Sequence, residues 1–408
     1  MNAPSQMAAA TPALRSAPPL PPAAFERIRR RMVLEGCKWD PQIGDEATLA
    51  GHALLLGRSS FAALAGLASA LARETLAAEE ELAERPELHA LVGVPRPLRR
   101  CWARCPPPRP PRAQRLMRFD FHPTSEGWRV SEVNSDVPGG FAEASLLPAL
   151  FQPHHPGTSL PPDPARAWVE RIAADARRPC VALVAAPGFL EDQQVIAFLA
   201  DAFQRRGCVP VPARLEDVSF RDGAALLRQG SAVHEAGAIL RFLQAEWLLA
   251  RPRPAGWRHY FLPGPTPVFN AGTAILTESK RFPLAWPHLH APTDTWRALA
   301  PESREPTALG EGWLLKGAFS NNGDAVVNPG DERRWRAAVR EARWHPERWV
   351  AQRRFDAVAI ETPAGPRFPC LGLYTLGEEL VGVYGRLSAG ATVNHRAADV
   401  AVLIEEGR

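Results

Sequence analysis

A strand, a helix and further strands follow one another within residues 179–245, and this series limits the fold more than any other feature. Short apolar runs at Cys180–Val184, Val209–Val211 and Ala238–Phe242 are typical of buried strands, and Glu191–Gly207 has the spacing of an amphipathic helix. Strands separated by a helix at this spacing pair in parallel. No glycine-rich dinucleotide fingerprint follows the first run, so an NAD site is not indicated. We therefore predict an α/β (α+β) fold with a small parallel-sheet unit.

The residues before this unit have a different pattern. Residues 1–24 are rich in Ala, Pro and Ser without the continuous apolar run of a signal peptide, and we predict that they are disordered. Residues 25–112 show apolar residues at helical spacing, as in Ser60–Ala68 and Leu71–Leu76. The proline cluster Pro106–Pro111 ends this helical region, because a helix cannot continue through it.

Two alternating stretches, Leu116–Phe121 and Trp128–Asn134, predict a hairpin with an unusual polar face. Side chains alternate along a strand, so Arg118 and Asp120 share one face, as do Glu132 and Asn134. If the two faces coincide, their oxygens suit magnesium and the guanidinium can hold a phosphoryl or carboxylate group. A solvated hairpin face with charges paired across the strands is the alternative, and the hairpin alone does not decide between them.

Lysine is rare in this chain, which has 48 Lys plus Arg residues but only the lysines Lys38, Lys280 and Lys316. A lysine kept against this background suggests a position where a compact ammonium is needed. Lys316 ends a predicted strand and precedes a polar loop with Gly323, an arrangement that can wrap phosphates but is not a Walker motif. A hairpin turn with an incidental lysine is the alternative interpretation.

Charge and cysteine content exclude several classes of function. The formal net charge of +4 is small for 408 residues, so neither nucleic acid nor an anionic membrane is expected as a partner. No uninterrupted apolar run reaches the ~20 residues of a bilayer span. The six cysteines lack the paired spacing of a zinc site, and we expect reduced thiols and a cytoplasmic protein.

Taken in order, these elements resemble the synthetase domain of glutathionylspermidine synthase, a circularly permuted ATP-grasp ligase. The resemblance spans about residues 115–400. It depends on the order Arg-x-Asp, then Glu-x-Asn about a dozen residues on, then two lysines with a glycine loop. It implies that Asp120, Glu132 and Asn134 hold Mg²⁺ and that Arg118 stabilises an acyl phosphate. The other residues it implies are Lys280, Lys316, Asn322, Gly323 and Gln352 for ATP, and Arg386 for the transferred phosphate.

The resemblance also divides the chain into regions. These are a disordered segment (1–24), a helical region (25–112), the metal-binding hairpin with its helix (113–178), a small α/β unit (179–262) and a nucleotide-binding region (263–408). The amidase half of the bifunctional enzymes has no counterpart among these regions.

The implied reaction joins a carboxylate to an amine. ATP and Mg²⁺ are the expected cofactors, an acyl phosphate the intermediate, and ADP and phosphate the products, and loss of a ligand such as Asp120 is expected to reduce turnover far more than stability. The family's glycine loop has an Arg-Glu-Gly run where Ser320–Gly323 stands here, and the loop Asp136–Gly140 also departs from the pattern. The joined substrates and the oligomeric state therefore stay open. A degenerate ATP-grasp protein that binds nucleotide or acts as a scaffold is the alternative.

Overall fold

The computed structural model describes residues 13–43, 46–249, 256–307, 309–320, 326–394 and 396–406. The strands are β1 (Leu14–Ser16), β2 (Gln42–Ile43), β3 (Glu46–Ala47), β4 (Leu49–Gly57), β5 (Leu116–Thr124), β6 (Gly127–Asn134), β7 (Thr158–Ser159), β8 (Cys180–Ala185), β9 (Val209–Ala213), β10 (Val218–Arg221), β11 (Ala224–Gln229), β12 (Ala232–Glu235), β13 (Ala238–Phe242), β14 (Val268–Phe269), β15 (Ser303–Arg304), β16 (Trp313–Gly317), β17 (Val326–Val327), β18 (Trp349–Arg353), β19 (Phe368–Leu376), β20 (Glu379–Ser388) and β21 (Ala398–Glu405).

The α-helices are α1 (Pro22–Leu34), α2 (Arg58–Glu84), α3 (Arg96–Trp102), α4 (Phe141–Phe151), α5 (Pro164–Asp175), α6 (Leu190–Arg205), α7 (Ala245–Leu249), α8 (Ile275–Glu278), α9 (Phe282–Ala285), α10 (Asp294–Leu299) and α11 (Glu332–Trp344). The mixed α/β class is confirmed, and the helices are distributed between Pro22 and Trp344.

The largest sheet has the strand order β1-β4-β21-β20-β19-β5-β6, with β7 beside β21. Strands β4 and β21 pair in parallel, with Leu54 opposite Val402, and the other neighbours are antiparallel. The region predicted as helical therefore also supplies β4 to this sheet. Because β4 is buried along nearly its whole length, its apolar run lacks the alternation of a half-exposed strand.

One face of the large sheet packs against α2. The helix presents Leu64, Leu67 and Leu71 to Phe119, Leu373 and other apolar strand residues in one buried cluster. By length and composition α2 is apolar enough to cross a membrane, although it contains no run of 20 residues without a charge. Half of its most apolar 18-residue segment is buried within the protein. A core helix passes the same test, so α2 is interpreted as the main support of the sheet.

The predicted parallel unit is present as the sheet β14-β13-β8-β9, in which every neighbouring pair is parallel. Helices α5 and α6 cover one face, where Trp168 and Leu199 join Leu183 and Leu240 in a second buried cluster. The meander β10-β11-β12 lies on the other side, since Leu227 shares the first cluster with Ile239. The carboxyl ends of β8 and β13 are left at the edge of a large cavity.

A smaller antiparallel sheet, β15-β18-β16-β17, completes the surroundings of that cavity. Helix α11 begins after Asp331, whose side chain accepts a hydrogen bond from Arg334 N. Its Ala338 packs on Leu315 and Ala351 in a third buried cluster. This support holds β16 and β18, the two strands that carry Lys316 and Gln352.

Candidate functional site

The predicted hairpin brings its four polar side chains to one place. In the register of β5 and β6, Arg118 lies opposite Asn134 and Asp120 lies opposite Glu132. Residues two apart in a strand share a face, so both pairs project from the same side of the sheet. A register irregularity follows Asp120 and changes the pairing beyond it.

Asp120 is the centre of an arginine network. Arg118 Nε and Nη2 donate to its Oδ1 and Oδ2 at 2.8 and 3.1 Å, and Arg386 Nη2 donates to Oδ2 at 2.9 Å. Burial alone raises the pKa of Asp120, but the two guanidinium groups outweigh it and hold the pKa well below its usual range. Gly372 in β19 leaves the space that the Arg118 side chain occupies, since a Cβ there would lie 2.7 Å from Arg118 Cδ.

Two lysines flank Glu132. Lys280 Nζ lies 3.4 Å from Glu132 Oε2 and 3.6 Å from Glu278 Oε1, while Lys316 Nζ donates to Ser131 O at 3.3 Å. Burial raises the pKa of Glu132, but Lys280 and Lys316 outweigh it and lower that pKa. Burial lowers the pKa of Lys316, whereas the facing carboxylates overcome burial and raise the pKa of Lys280.

Gln352 lies on β18, opposite Leu314 of β16, and its Nε2 donates to Ser303 Oγ at 3.3 Å. Its side chain is buried beside the strand that carries Lys316. The remaining two predicted ATP-binding residues, Asn322 and Gly323, lie outside the described residues.

A cavity of about 1160 Å³ connects these groups. The predicted site residues that line it are Arg118, Asp120, Glu132, Asn134, Lys316, Gln352 and Arg386. Lys280 is not among the lining residues but reaches the site through Glu132. The structure therefore gathers every described residue of the predicted site around one cavity, and the role of each stays a prediction.

The sequence interpretation missed other residues of this cavity. His122 follows Asp120 at the same alternation, contacts Ser131 Oγ at 3.1 Å, and burial lowers its pKa to about 4, so it is a neutral imidazole at neutral pH. His122 continues the alternation that identified Arg118 and Asp120, so it could have been identified from the sequence. Glu143 and Asp399 also line the cavity, but they come from α4 and β21 and carry no spacing signal.

The donor set suits magnesium in type. Asp120, Glu132 and Asn134 offer two carboxylates and an amide, and magnesium is commonly held by one or two carboxylates with nucleotide phosphates as further ligands. Within the described residues, no group of three or more His, Cys, Asp and Glu side chains is arranged to hold a metal by itself. Asp120 Oδ2 accepts hydrogen bonds from Arg118, Asn134 and Arg386, whereas Oδ1 accepts one from Arg118 and keeps a lone pair for a cation.

Neither a protein-family model nor a curated protein matches this chain. Among solved structures, it is similar to the "putative gamma-glutamylcysteine synthetase" from Methylobacillus flagellatus KT, with 14% sequence identity and a TM-score of 0.39. That likeness covers 83% of this chain and 88% of the other one. A TM-score this low carries no functional argument, and the resemblance to glutathionylspermidine synthase stays a prediction.

Proposed function

We propose that this protein is an ATP-dependent ligase that joins a carboxylate to an amine through an acyl phosphate. The proposal is based mainly on one cavity, which is surrounded by the residues predicted to bind ATP, the metal and the acyl phosphate. They come from β5, β6, β16, β18 and β20, and Lys280 follows α8. A solvated hairpin face, the alternative for β5 and β6, does not account for two buried lysines converging on Glu132.

Each group has a defined task in this proposal. Lys280 and Lys316 neutralise the phosphates of ATP, and Arg118 with Arg386 orients the carboxylate and the transferred phosphoryl group. Magnesium, when bound between Asp120, Glu132 and Asn134, neutralises phosphate charge. The site contributes mainly position and fixed charge.

The reaction balances in two steps. A carboxylate oxygen attacks the γ-phosphorus, the bond from that phosphorus to the bridging oxygen breaks, and ADP leaves with the electron pair. The nitrogen of an uncharged amine then attacks the acyl carbon, a C–N bond forms and the C–O bond to phosphate breaks. Phosphate leaves and the nitrogen releases one proton to solvent.

The direct test measures ADP release with Mg-ATP against paired panels of carboxylates and amines. The panels contain amino acids, short peptides and glutathione as acids, and amino acids and polyamines as amines. ADP release that requires both an acid and an amine supports the proposal. ADP release with no dependence on any acid in the panel contradicts it.

Glu132→Gln tests the site itself. This change keeps the side chain's shape, and Lys280 keeps Glu278 as a partner, so we expect a folded protein whose ADP release falls roughly 10²-fold or more. The matched control is Glu170→Gln, which removes an exposed carboxylate paired with Arg166 on α5. Equal turnover in both variants would rule out the assignment of Glu132.

Asp120→Ala is a less selective test of turnover than the sequence suggested, because it is also expected to affect stability. The carboxylate is buried and shared by Arg118 and Arg386, so its removal leaves two buried guanidinium groups without their partner. Breaking a buried ion pair from one side typically costs about 3–5 kcal/mol. We therefore expect Asp120→Ala to lose stability as well as turnover, in contrast to the sequence-based prediction that turnover falls far more than stability.

A further inference from the structure

A second charged cluster lines the same cavity, built around the third lysine. Lys38 Nζ lies 2.9 Å from Asp399 Oδ2, 3.0 Å from Glu143 Oε1 and 3.4 Å from Asp40 Oδ1. The four residues come from the segment after α1, from α4 and from β21. We call them the Lys38 cluster. Each side chain is mostly buried, and all four line the cavity.

The Lys38 cluster has more negative than positive charge. An ammonium has three protons to donate, and three carboxylates already surround Lys38, so Lys38 is poorly placed to bind an anion. In the described part of the chain, Lys38 is the base that pairs with Asp40, Glu143 and Asp399. Asp40 Oδ1 is buried and accepts no hydrogen bond there, although it lies 3.4 Å from Lys38 Nζ. The three carboxylates of the cluster therefore share one ammonium group.

Further carboxylates lie on the same side of the cavity. Trp39 N donates to Gln194 Oε1 at 2.9 Å, which holds the segment next to Lys38 against α6. The first turn of α6 carries Glu191 and Asp192, both of which line the cavity. Burial and the neighbouring Glu191 raise the pKa of Asp192 to about 7, and a cation beside this carboxyl would favour its ionised form. The added carboxylates favour a cation over an anion at this end.

Tyr384 joins the Lys38 cluster to the arginine network. Its hydroxyl donates to Asp399 Oδ1 at 2.5 Å, and its ring centroid lies 5.3 Å from Arg118 Cζ and 5.5 Å from Arg386 Cζ. The side chain of Tyr384 therefore contacts both charged groups. An acyl phosphate bound by Arg118 and Arg386 would therefore lie next to the acidic end of the cavity.

We propose that the Lys38 cluster, with Asp192 beside it, is the subsite for the ammonium group of the amine co-substrate. This inference rests on the proposed ligase function. It assigns the part of the cavity in which the amine binds. ATP and the carboxylate are anions, which the basic residues attract and the acidic end repels. A primary amine in its ammonium form has the opposite preference and is held beside the arginines. It loses one proton to solvent there and attacks as the free base.

The first test uses binding and needs no activity. The probes are n-butylammonium and butyrate, which have similar size and opposite charge, titrated by ligand-observed NMR. We expect the wild-type protein to bind n-butylammonium and not butyrate, and Glu143→Gln to weaken n-butylammonium binding at least ~10-fold. Glu170→Gln is the matched control and should bind like the wild type. Equal affinity of Glu143→Gln and the control would overturn the proposal.

Asp192→Asn keeps the proposal testable if loss of Glu143 prevents folding. Lys38 pairs with Asp40, Glu143 and Asp399, so Asp192→Asn removes a cavity carboxylate and leaves these three contacts in place. We expect weaker n-butylammonium binding by at least ~3-fold with an unchanged circular dichroism spectrum. Unchanged binding in folded Asp192→Asn would also overturn the subsite.

A second test separates failure of the subsite from failure of the ligase proposal. Hydroxylamine is uncharged at neutral pH, so it can trap an acyl phosphate as a hydroxamate without using an ammonium subsite. With the acid found in the ADP screen, the wild type should form hydroxamate, and Glu143→Gln should show a KM for the amine at least ~10-fold above that of the control Glu170→Gln. An unchanged KM overturns the subsite. Absence of hydroxamate in the wild type overturns the acyl phosphate of the ligase proposal itself.

Discussion

At the scale of single residues, all three lysines of the chain are buried in charge networks of one site region. Lys38 and Lys280 are 8% exposed and Lys316 is 6% exposed, although lysine is among the residues least often buried. Each ammonium faces at least one carboxylate or carbonyl oxygen at 2.9–3.4 Å. In a chain that otherwise uses arginine, these three positions indicate a requirement for a compact cation.

Lys316→Arg is therefore expected to impair ATP chemistry although the charge is kept. The guanidinium is larger and planar, and it must fit a buried position beside Ser131 and Glu132. We expect ADP release to fall about tenfold or more, with a circular dichroism spectrum like that of the wild type. The reverse exchange Arg166→Lys, at an exposed position of α5, is the control and should change nothing. Full turnover in Lys316→Arg would contradict the requirement for lysine.

Only part of this residue-level pattern could be predicted. The adjacency of Arg118, Asp120, Glu132 and Asn134 follows from alternation in a short hairpin, which is a local property of the sequence. The rarity of lysine indicated Lys280 and Lys316. Asp399 and Glu143 gave no such signal, because their relation to Lys38 exists only after α4 and β21 pack beside the segment that carries it.

At the scale of elements, the register of β19 against β5 decides whether the arginine network can form. Gly372 lies opposite Asp120, and its missing side chain is the space filled by Arg118. Strand residues are usually larger than glycine, since glycine weakens a strand interior. The glycine here is explained by the close approach of the Arg118 side chain.

Gly372→Ala tests this explanation. The added Cβ would lie 2.7 Å from Arg118 Cδ, so Arg118 must move away from Asp120. We expect a loss of about 1–3 kcal/mol in the free energy of unfolding by urea and at least a ~10-fold fall in ADP release. Gly330→Ala has nothing within 4 Å of the added carbon and is the control for both measurements. If both variants behave alike, Gly372 has no role in positioning Arg118.

Elements were predictable where their partners are near in sequence. The hairpin β5–β6 and the parallel order of β8, β9 and β13 follow from local patterns, and both are present. Strand β4 was missed because its buried apolar run also suits a helix, and its parallel partner β21 is more than 300 residues away. Strand β21 was also missed, although it pairs with β20, the strand that precedes it in the chain.

At the scale of the whole molecule, the cavity is bounded by three separate sheets. Arg118 belongs to the large sheet, Lys316 to the small antiparallel sheet, and Phe242 to the parallel sheet. A ligand that fills the cavity therefore contacts several units at once. The polarity of the cavity, basic on one side of Tyr384 and acidic on the other, could not be predicted, since it depends on how these units are assembled.

Mg-ATP is consequently expected to stabilise the whole protein. A ligand at ~100 times its Kd adds about 2.7 kcal/mol to the free energy of unfolding when it binds the folded state alone. We expect Mg-ATP to raise the unfolding temperature in differential scanning fluorimetry, and EDTA to reverse part of that rise. In Lys316→Arg the rise should be smaller. No rise with Mg-ATP in the wild-type protein would contradict nucleotide binding in this cavity.

The pairing of β4 with β21 has a consequence for biosynthesis. Strand β4 is translated early, but β21, which separates it from β20 in the sheet, emerges from the ribosome only after residue 405 has been made. Contacts this distant in sequence are slow to form, and an unpaired apolar strand edge promotes aggregation. The nascent chain therefore carries an incomplete sheet while the segment between β4 and β21 is synthesised, and we expect chaperone demand to be highest in that interval.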